Sequence, residues 1–460
     1  MRLVWFRNDL RLADNPALAA ACAAPPVTAV VCLTPRQWAR HNVSPTRMAY
    51  WHDRLAWLEG ELAMCSIPLV RLRLQRFRDC PNALLELCRT LQVDELHLNY
   101  EYPLDERRRD HAVGQALRAG GVRMHGHHGD LILPPGSVLT GNGGPFKVFT
   151  PFSRAWRRRL LQTNHAPVAA PPAAGKRITS SVTLSGCAGD AGLYDRNLWP
   201  VEQERLLTRL ERFLREQEPD YAQRRDYPAL NGTSALSPAL SIGALSARQC
   251  LAALQAERGD DSWLESRWLG ELIWREFYRH LLVAFPGQSR LEPFKPEVEA
   301  RISWQENETA FAAWKAGETG YPLVDAAMKQ LSTTGWMHNR LRMIVANFLT
   351  KLLRIDWRRG EAFFMSRLID ADFASNLGGW SWSASVGADA APYFRIFNPQ
   401  LQSEKFDPEG SFIATWLPEL ASLPAQARHK PGAGQQLGRP APIVDYTRAR
   451  RAALEDYNGS

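Results

Sequence analysis

The chain has 460 residues, of which 45% are hydrophobic and 23% charged, with a formal net charge of +8 and a pI of about 9.2. That length suits two or three domains with sizeable cores, the composition excludes a disordered or fibrous chain, and no run of roughly 18 apolar residues offers a membrane span. There are 48 arginines against 8 lysines; arginine pairs bidentately with phosphate, which points to a nucleic-acid partner, although an arginine-rich genome explains the bias equally well.

The first residues, MRLVWFRNDLRLADNP, carry only a short apolar run before charges interrupt it, unlike a signal peptide. Over residues 1–130 short apolar runs alternate with amphipathic segments. Strands are predicted at Arg2–Phe6, Thr28–Leu33, Leu69–Leu74, Glu95–Tyr100 and Val122–His127, with helices such as Arg47–Ala63 and Asp105–Ala119 between them. The alternation predicts an α/β domain with a parallel, doubly wound sheet covered on both faces. No G-x-G-x-x-G or Walker loop follows the first strand, so the usual dinucleotide fingerprint is missing. Residues 163–192, including HAPVAAPPAAGK, are rich in Ala, Pro and Gly, and proline lacks a donor and fixes φ. They fall within an expected linker spanning 131–200. From about Pro200 the strand pattern gives way to helical periodicity, so an all-α domain is expected over 201–460, with its last 40 residues poorly ordered or wrapped over the surface. The seven cysteines are scattered, odd in number and without a C-x-x-C pair, which points to reduced thiols and a cytoplasmic setting.

Several segments of the helical part carry residues that a core does not need. In GTSALSPALSIGALS, Ser237 is placed as an N-cap with Pro238 at the first helical position, and Thr233 and Ser234 add hydroxyls. Free N–H groups there would suit an anion, while plain capping is the simpler reading. In SRWLGELIWREFYRHL, Glu271, Trp274, Arg275 and Tyr278 share one helix face. That face is suited to stack a base and bond its edge, or else is a solvated face with an ion pair. Trp336, Asn339, Arg340 and Met343 repeat the i, i+3, i+4, i+7 arrangement. The Asn339 amide has a donor and an acceptor for a nucleobase edge, Arg340 and Arg342 suit phosphates or a buried carboxylate, and His338 reads as structural. Asp370, Asp372 and Asn376 cluster in DADFASN without the loop pattern or histidines of a metal site, so no metal is expected. Trp304, Trp357 and Trp380, taken singly, read as core or interface anchors. The stretch Trp336–Pro399 nonetheless combines four tryptophans, close acids and arginines, a mixture suited to moving electrons, holding a flat ligand and meeting a polyanion.

WFRNDLRLADNPAL, TGYPLVDAAMKQL, TGWMHNRLRM, IDWRRGEAFFM and NLGGWSWSASVGADAAPYFRIFNP together resemble the photolyase/cryptochrome family, most closely its class I cyclobutane pyrimidine dimer photolyases. The resemblance runs from Met1 to about Leu420. It implies an α/β antenna domain, a linker and a helical domain enclosing FAD, and a carbon–carbon lyase that repairs pyrimidine dimers in damaged DNA under blue light. The family's flavin-binding positions fall on Tyr221, Thr233, Ser234, Ala235, Leu236, Ser237, Trp268, Asp370, Ala371 and Asp372. They include an ion pair between Arg342 and Asp370, and Asn376 facing the reactive flavin nitrogen. Lesion contacts fall on Glu271, Trp274, Asn339, Met343 and Trp382, with Arg225, Arg340 and the run from Glu271 through Arg275 to Tyr278 at the DNA mouth. The photoreduction chain falls on Trp380, Trp357 and Trp304, from flavin to surface. His41 and Glu106 match the branch with a methenyltetrahydrofolate antenna, but Asp105 stands where that branch has Asn, so altered or weakened pterin binding, another antenna such as a deazaflavin, or no antenna are the alternatives. A monomer is expected, since it would suit a DNA-repair enzyme that must reach scattered lesions. Asn376 and Trp274 favour repair over a cryptochrome-type light sensor, and Asn339 and Met343 disfavour a (6-4) photolyase, which has histidines there.

Overall fold

The computed structural model describes residues 1–173 and 193–458. The part of the expected linker between 174 and 192, with Cys187, lies outside the described residues. Contacts group the chain into two compact units, Met1–Arg215 with Ser234–Ser289, and Glu216–Thr233 with Arg290–Ser460.

The first unit contains five strands, β1 (Arg2–Phe6), β2 (Val27–Leu33), β3 (Leu69–Arg73), β4 (Glu95–Asn99) and β5 (Arg123–His127). All pair in parallel, in the order β3-β2-β1-β4-β5. Each begins within one residue of its expected start. Helices α1 (Pro16–Cys22), α2 (Pro45–Met64), α3 (Cys80–Leu91) and α4 (Leu104–Ala119) connect them. Side chains alternate across a strand, so neighbours in sequence serve opposite faces. Leu3, Trp5, Leu96 and Leu98 bury against Cys80, Leu84 and Cys88 of α3 and Val113 and Leu117 of α4. One residue out of phase, Arg2 donates to the Ala20 carbonyl at 3.1 Å, and the Asn99 Oδ1 accepts from the Ala17 amide at 3.3 Å, both in α1. The sheet is therefore covered on both faces, as a parallel sheet requires.

The same unit holds α5 (Phe149–Leu160) and α6 (Arg267–Ala284), which pack together. The Trp156 Nε1 donates to the fully buried Glu276 carboxylate at 2.6 Å, and the Phe152 and Phe277 rings lie 5.1 Å apart. Glu276 also accepts from the amides of Ile132 and Leu133. Burial outweighs these donors and pushes its carboxyl up to about 7.

The second unit is helical, with no strand among its described residues. Its α7 (Pro322–Thr334) ends at Gly335, whose φ of 69° closes the helix in the left-handed region. There follow α8 (Asn339–Asn347), α9 (Trp357–Met365), α10 (Phe373–Ser383) and, near the C-terminus, α11 (Tyr446–Asn458). Of the two alternatives for the tail, poorly ordered or wrapped over the surface, the first is corrected here. Ala453 is fully buried, the Tyr457 hydroxyl donates to the Ala384 carbonyl at 2.7 Å, and Arg439 pairs with Asp325 at 2.6 Å. The Ala- and Arg-rich composition hid a helix whose small residues let it approach closely. The six described cysteines are free thiols. No helix among the described residues is long and apolar enough to cross a membrane.

Candidate active site

In the first unit, α6 begins where Ser266 accepts from the Leu269 amide at 3.2 Å. Trp268 is buried in its first turn, its ring 5.2 Å from that of Phe213. Glu271, Trp274 and Tyr278 are partly exposed along one side of the helix, while Leu272, Ile273, Glu276 and Phe277 are buried on the other. The Trp274 indole is stacked on the Phe149 ring, with centroids 3.6 Å apart and planes 6° from parallel, and Tyr278 lies 5.5 Å away. Arg275 differs from a free basic residue: it pairs with Asp130, which also holds Arg279. The two guanidiniums keep the Asp130 carboxyl far below the usual carboxylate range despite its burial.

Upstream, Ala235 has a φ of 49°, a left-handed conformation that an alanine seldom adopts. It reverses the chain inside the Thr233–Ser237 run. The following helix covers Ser237–Ser241, with Leu236 rather than Ser237 at the N-cap. Ser237 is thus one residue inside the helix, a correction to the capping expectation. Thr233 and Ser234 are half-buried, and Ser237 is exposed.

The residues matched to the antenna also lie in the first unit. The His41 ring stands between two carboxylates, Asp105 at 3.2 Å and Glu106 at 3.5 Å, and its edge meets Phe77 at 5.6 Å. Burial pushes the Glu106 carboxyl up, and His41 opposes this.

In the second unit, Tyr221 is buried beneath the Arg225 guanidinium, 5.2 Å from the ring centre. Trp336 does not join the face of α8. The helix starts at Asn339, with His338 as N-cap, its Nδ1 accepting from the Arg340 amide at 3.2 Å. Gly335 has just ended α7, so Trp336 belongs to the connection and rests edge-on against His338 at 6.4 Å. The expectation of a satisfied structural histidine holds only for Nδ1, since Nε2 is buried without a partner, and burial pushes His338 down to about 4. Asn339 is exposed and Met343 half-buried. Arg340 lies over the Phe406 ring at 4.4 Å and pairs with Asp226 at 2.7 Å.

Arg342 donates to one oxygen of Asp370 at 2.8 Å. The other oxygen, Oδ1, is buried with no donor. An orphaned buried acceptor of this kind costs free energy until something donates to it, so the site suits a ligand bearing N–H or O–H groups. Ala371 is buried, and Asp372 caps α10 by accepting from the Ser375 amide at 2.9 Å. One turn into that helix, the Asn376 amide nitrogen donates to the Glu361 carboxylate at 2.9 Å and to the Glu361 carbonyl at 3.1 Å. Both donor positions are consumed, so the Asn376 Oδ1 is the atom left to accept from a ligand. Glu361 is 3% exposed, and burial pushes its carboxyl up to about 7.

Trp380 and Trp357 are buried on α10 and α9, two helices packed against each other. Phe364 and Trp314 meet Trp380 edge-on at 5.1 and 6.0 Å. The Trp357 Nε1 donates to Glu299 at 3.0 Å, and Arg358 lies 4.7 Å over its ring. Trp304 is only half-buried, and its Nε1 is shielded without a partner. Trp382, two residues past Trp380, is half-buried. Among the described residues, no three metal-ligating side chains are arranged to hold an ion.

Glu361 and Phe149 escaped the sequence reading. Glu361 sits at the i+4 position of the buried stripe Trp357, Gly360, Glu361, Phe364 and Met365, and a lone acid in such a stripe was the available signal. Phe149 lies far from Trp274 in sequence, and nothing local marks it.

The chain matches the family described as DNA photolyase over residues 2–173 and the FAD binding domain of DNA photolyase over residues 268–459. It is 47% identical over 473 residues to a deoxyribodipyrimidine photo-lyase of Salmonella typhimurium, covering 100% of this chain and 98% of that one. The chain belongs to the DNA photolyase family. Among solved structures it is similar to a class III photolyase of Agrobacterium tumefaciens, with a TM-score of 0.86 at 36% identity, covering 99% of this chain and 97% of that one. A cryptochrome of Synechocystis is similar in fold, with a TM-score of 0.85 at 28% identity, covering 99% and 98%. The parallel sheet and the helical FAD-binding part are those of the family.

Proposed function

We propose that the chain is a light-driven DNA repair enzyme that splits cyclobutane pyrimidine dimers with FAD as its cofactor. The observation that carries this is the full-length likeness to deoxyribodipyrimidine photo-lyases, joined to a buried Asp370 oxygen that lacks a donor. FAD supplies, when reduced and excited, the electron that opens the cyclobutane ring and is then returned, so no net redox change remains.

The chain's own residues hold and shield. Tyr221, Thr233 through Ser237, Trp268, Arg342, Asp370, Ala371, Asp372 and Asn376 are the residues assigned to the cofactor. Asp370 accepts through its orphaned oxygen, Arg342 donates to the other oxygen, and Asn376 presents Oδ1 because Glu361 holds its nitrogen. Trp274 and Trp382 supply apolar walls for a dimer that must leave the duplex, a step that costs least at a damaged, poorly stacked site. Glu271, Asn339 and Met343 meet the edges of the extruded bases, and Glu271 stabilises charge that develops there. Tyr278 lies beside the Trp274 wall. Arg225 and Arg340 serve the phosphates, where Arg340 exchanges Asp226 for DNA; such contacts make affinity fall with salt. Arg275, tied to Asp130, fixes the helix instead. Trp380, Trp357 and Trp304 carry electrons that restore the reduced cofactor.

Residues 1–130 form the antenna part and 201–460 the cofactor part, joined by 131–200. His41, Asp105 and Glu106 hold a methenyltetrahydrofolate or deazaflavin antenna. The enzyme acts as a cytoplasmic monomer. Incubation with an oligonucleotide bearing one thymine cyclobutane dimer should remove dimers in blue light and leave them intact in darkness. Intact dimers in light with fully reduced flavin would overturn the assignment. Trp380→Phe should abolish photoreduction of oxidised flavin yet spare repair by pre-reduced enzyme.

A further inference from the structure

Helix α5 reaches α6 through three rungs. Trp156 bonds Glu276 at 2.6 Å, Phe152 meets Phe277 at 5.1 Å, and Phe149, in the first turn, lies flat on Trp274 at 3.6 Å. Residues 149, 152 and 156 are spaced i, i+3, i+7, so they form one stripe of α5 facing α6. The Trp156 and Phe152 rungs are buried and set the register of the two helices. That register delivers Phe149 to the indole.

The stacking has a side. Phe149 also meets the edge of Phe277 at 5.9 Å, and Phe277 is wholly buried. Phe149 therefore covers one face of the indole, while Phe277 meets it edge-on at 5.7 Å and Tyr278 lies tilted beside it at 5.5 Å. Trp274 is partly exposed, and a half-exposed indole has rotamers to lose when it must lie parallel to an incoming base. A ring already parallel to it within 6° removes that freedom before the base arrives.

We propose that Phe149 is a positioning residue for lesion recognition, backing one face of the Trp274 indole so that the ring is set to receive the extruded pyrimidine dimer on its other face. The inference rests on the reading of Trp274 as a wall of the lesion site. It predicts that Phe149 acts on dimer affinity through Trp274, and not on DNA in general.

The test is a double-mutant cycle on the FAD-loaded enzyme, reading affinity for an oligonucleotide with one thymine dimer and for its undamaged counterpart. Phe149→Leu keeps an apolar side chain but removes the flat ring. It should weaken dimer binding about 10-fold, within what an aromatic pair is worth, and raise KM more than it lowers kcat. Undamaged-DNA affinity should stay level, and Phe149→Tyr should restore dimer binding. In a Trp274→Ala background Phe149→Leu should add almost nothing. Equal loss in both backgrounds, or tighter binding by Phe149→Leu, overturns the proposal. If Trp274→Ala alone leaves dimer binding intact, the lesion-site reading fails instead. Should Phe149→Leu fold poorly, Phe149→Tyr and Phe149→Met carry the comparison, and equal dimer affinity in those two sinks the idea.

Discussion

At the scale of single residues, the acid cluster of α10 divides its labour by what each carboxylate already touches. Asp372 spends an oxygen on a helix cap, Glu361 accepts from Asn376, and Asp370 alone keeps an oxygen buried and unpartnered. Three acids, Asp370 and Asp372 at the start of α10 and Glu361 on α9, thus have three different capacities for a ligand. Removing Asp370 takes away this free acceptor and leaves Arg342 without its counter-ion, and a hydrogen bond to a charged acceptor is worth about 1.5–3 kcal/mol. Asp370→Ala should therefore be purified with less flavin, its FAD affinity lower by about 10- to 100-fold. Flavin absorbance per protein and titration of apoprotein with FAD check this. Normal flavin content in Asp370→Ala would remove the residue from the cofactor site. Asp370→Asn is milder, because it keeps an acceptor for the ligand while losing the charge.

At the scale of elements, the packing of α9 on α10 is controlled by a missing side chain. A Cβ on Gly360 would lie 2.3 Å from the Trp380 ring and 2.7 Å from Leu349. Trp380 is buried among Phe364 and Trp314, so it has nowhere to retreat. Gly360→Ala should displace the indole, destabilise the fold by about 1–3 kcal/mol as overpacking does, and slow photoreduction. Denaturant unfolding and flavin photobleaching measure the two effects, and an alanine variant of full stability would show that the helices separate freely. This contact also marks where sequence reading stops. The strands of residues 1–130 were legible because a short apolar run is a local signal and a parallel sheet buried on both faces imposes one on each strand. The Arg342–Asp370 pair was legible through the family motifs. The Phe149–Trp274 stack, the Asp226–Arg340 pair and the Gly360 contact join segments with no local pattern in common. The start of α8 was misplaced for a related reason, since periodicity continued through Trp336 while Gly335 and the His338 cap set the helix to begin at Asn339.

At the scale of the whole molecule, buried ionisable groups pull stability in opposite directions as pH changes. Burial pushes His280 and His338 down to about 4, so the folded chain refuses protons that the unfolded chain accepts. Their contribution is present above the ordinary histidine value and is lost as pH falls through it toward 4. Glu276 and Glu361 are pushed up to about 7, which has the reverse sign, since the fold retains their protons and loses stability as pH rises from the usual carboxylate range to 7. These terms overlap in the acid range and partly cancel. Lys351 is different, because it acts at higher pH. Its ammonium is fully buried, donates to Ser385 at 2.7 Å and sits 3.4 Å over the Tyr457 ring of α11. Desolvation lowers it from 10.5 to about 6. A base depressed on folding binds fewer protons in the folded state, so stability rises with pH between the two values. One proton contributes a slope of about 1.4 kcal/mol per pH unit. Lys351→Met keeps the length and removes the titration, so the unfolding free energy of the native chain should gain on the variant steadily from pH 6 to pH 9. Urea unfolding of both proteins across that range reads the difference directly. A constant difference would mean that Lys351 stays charged in the fold, with the Tyr457 ring and Ser385 sufficient to hold a buried cation and with it the C-terminal helix.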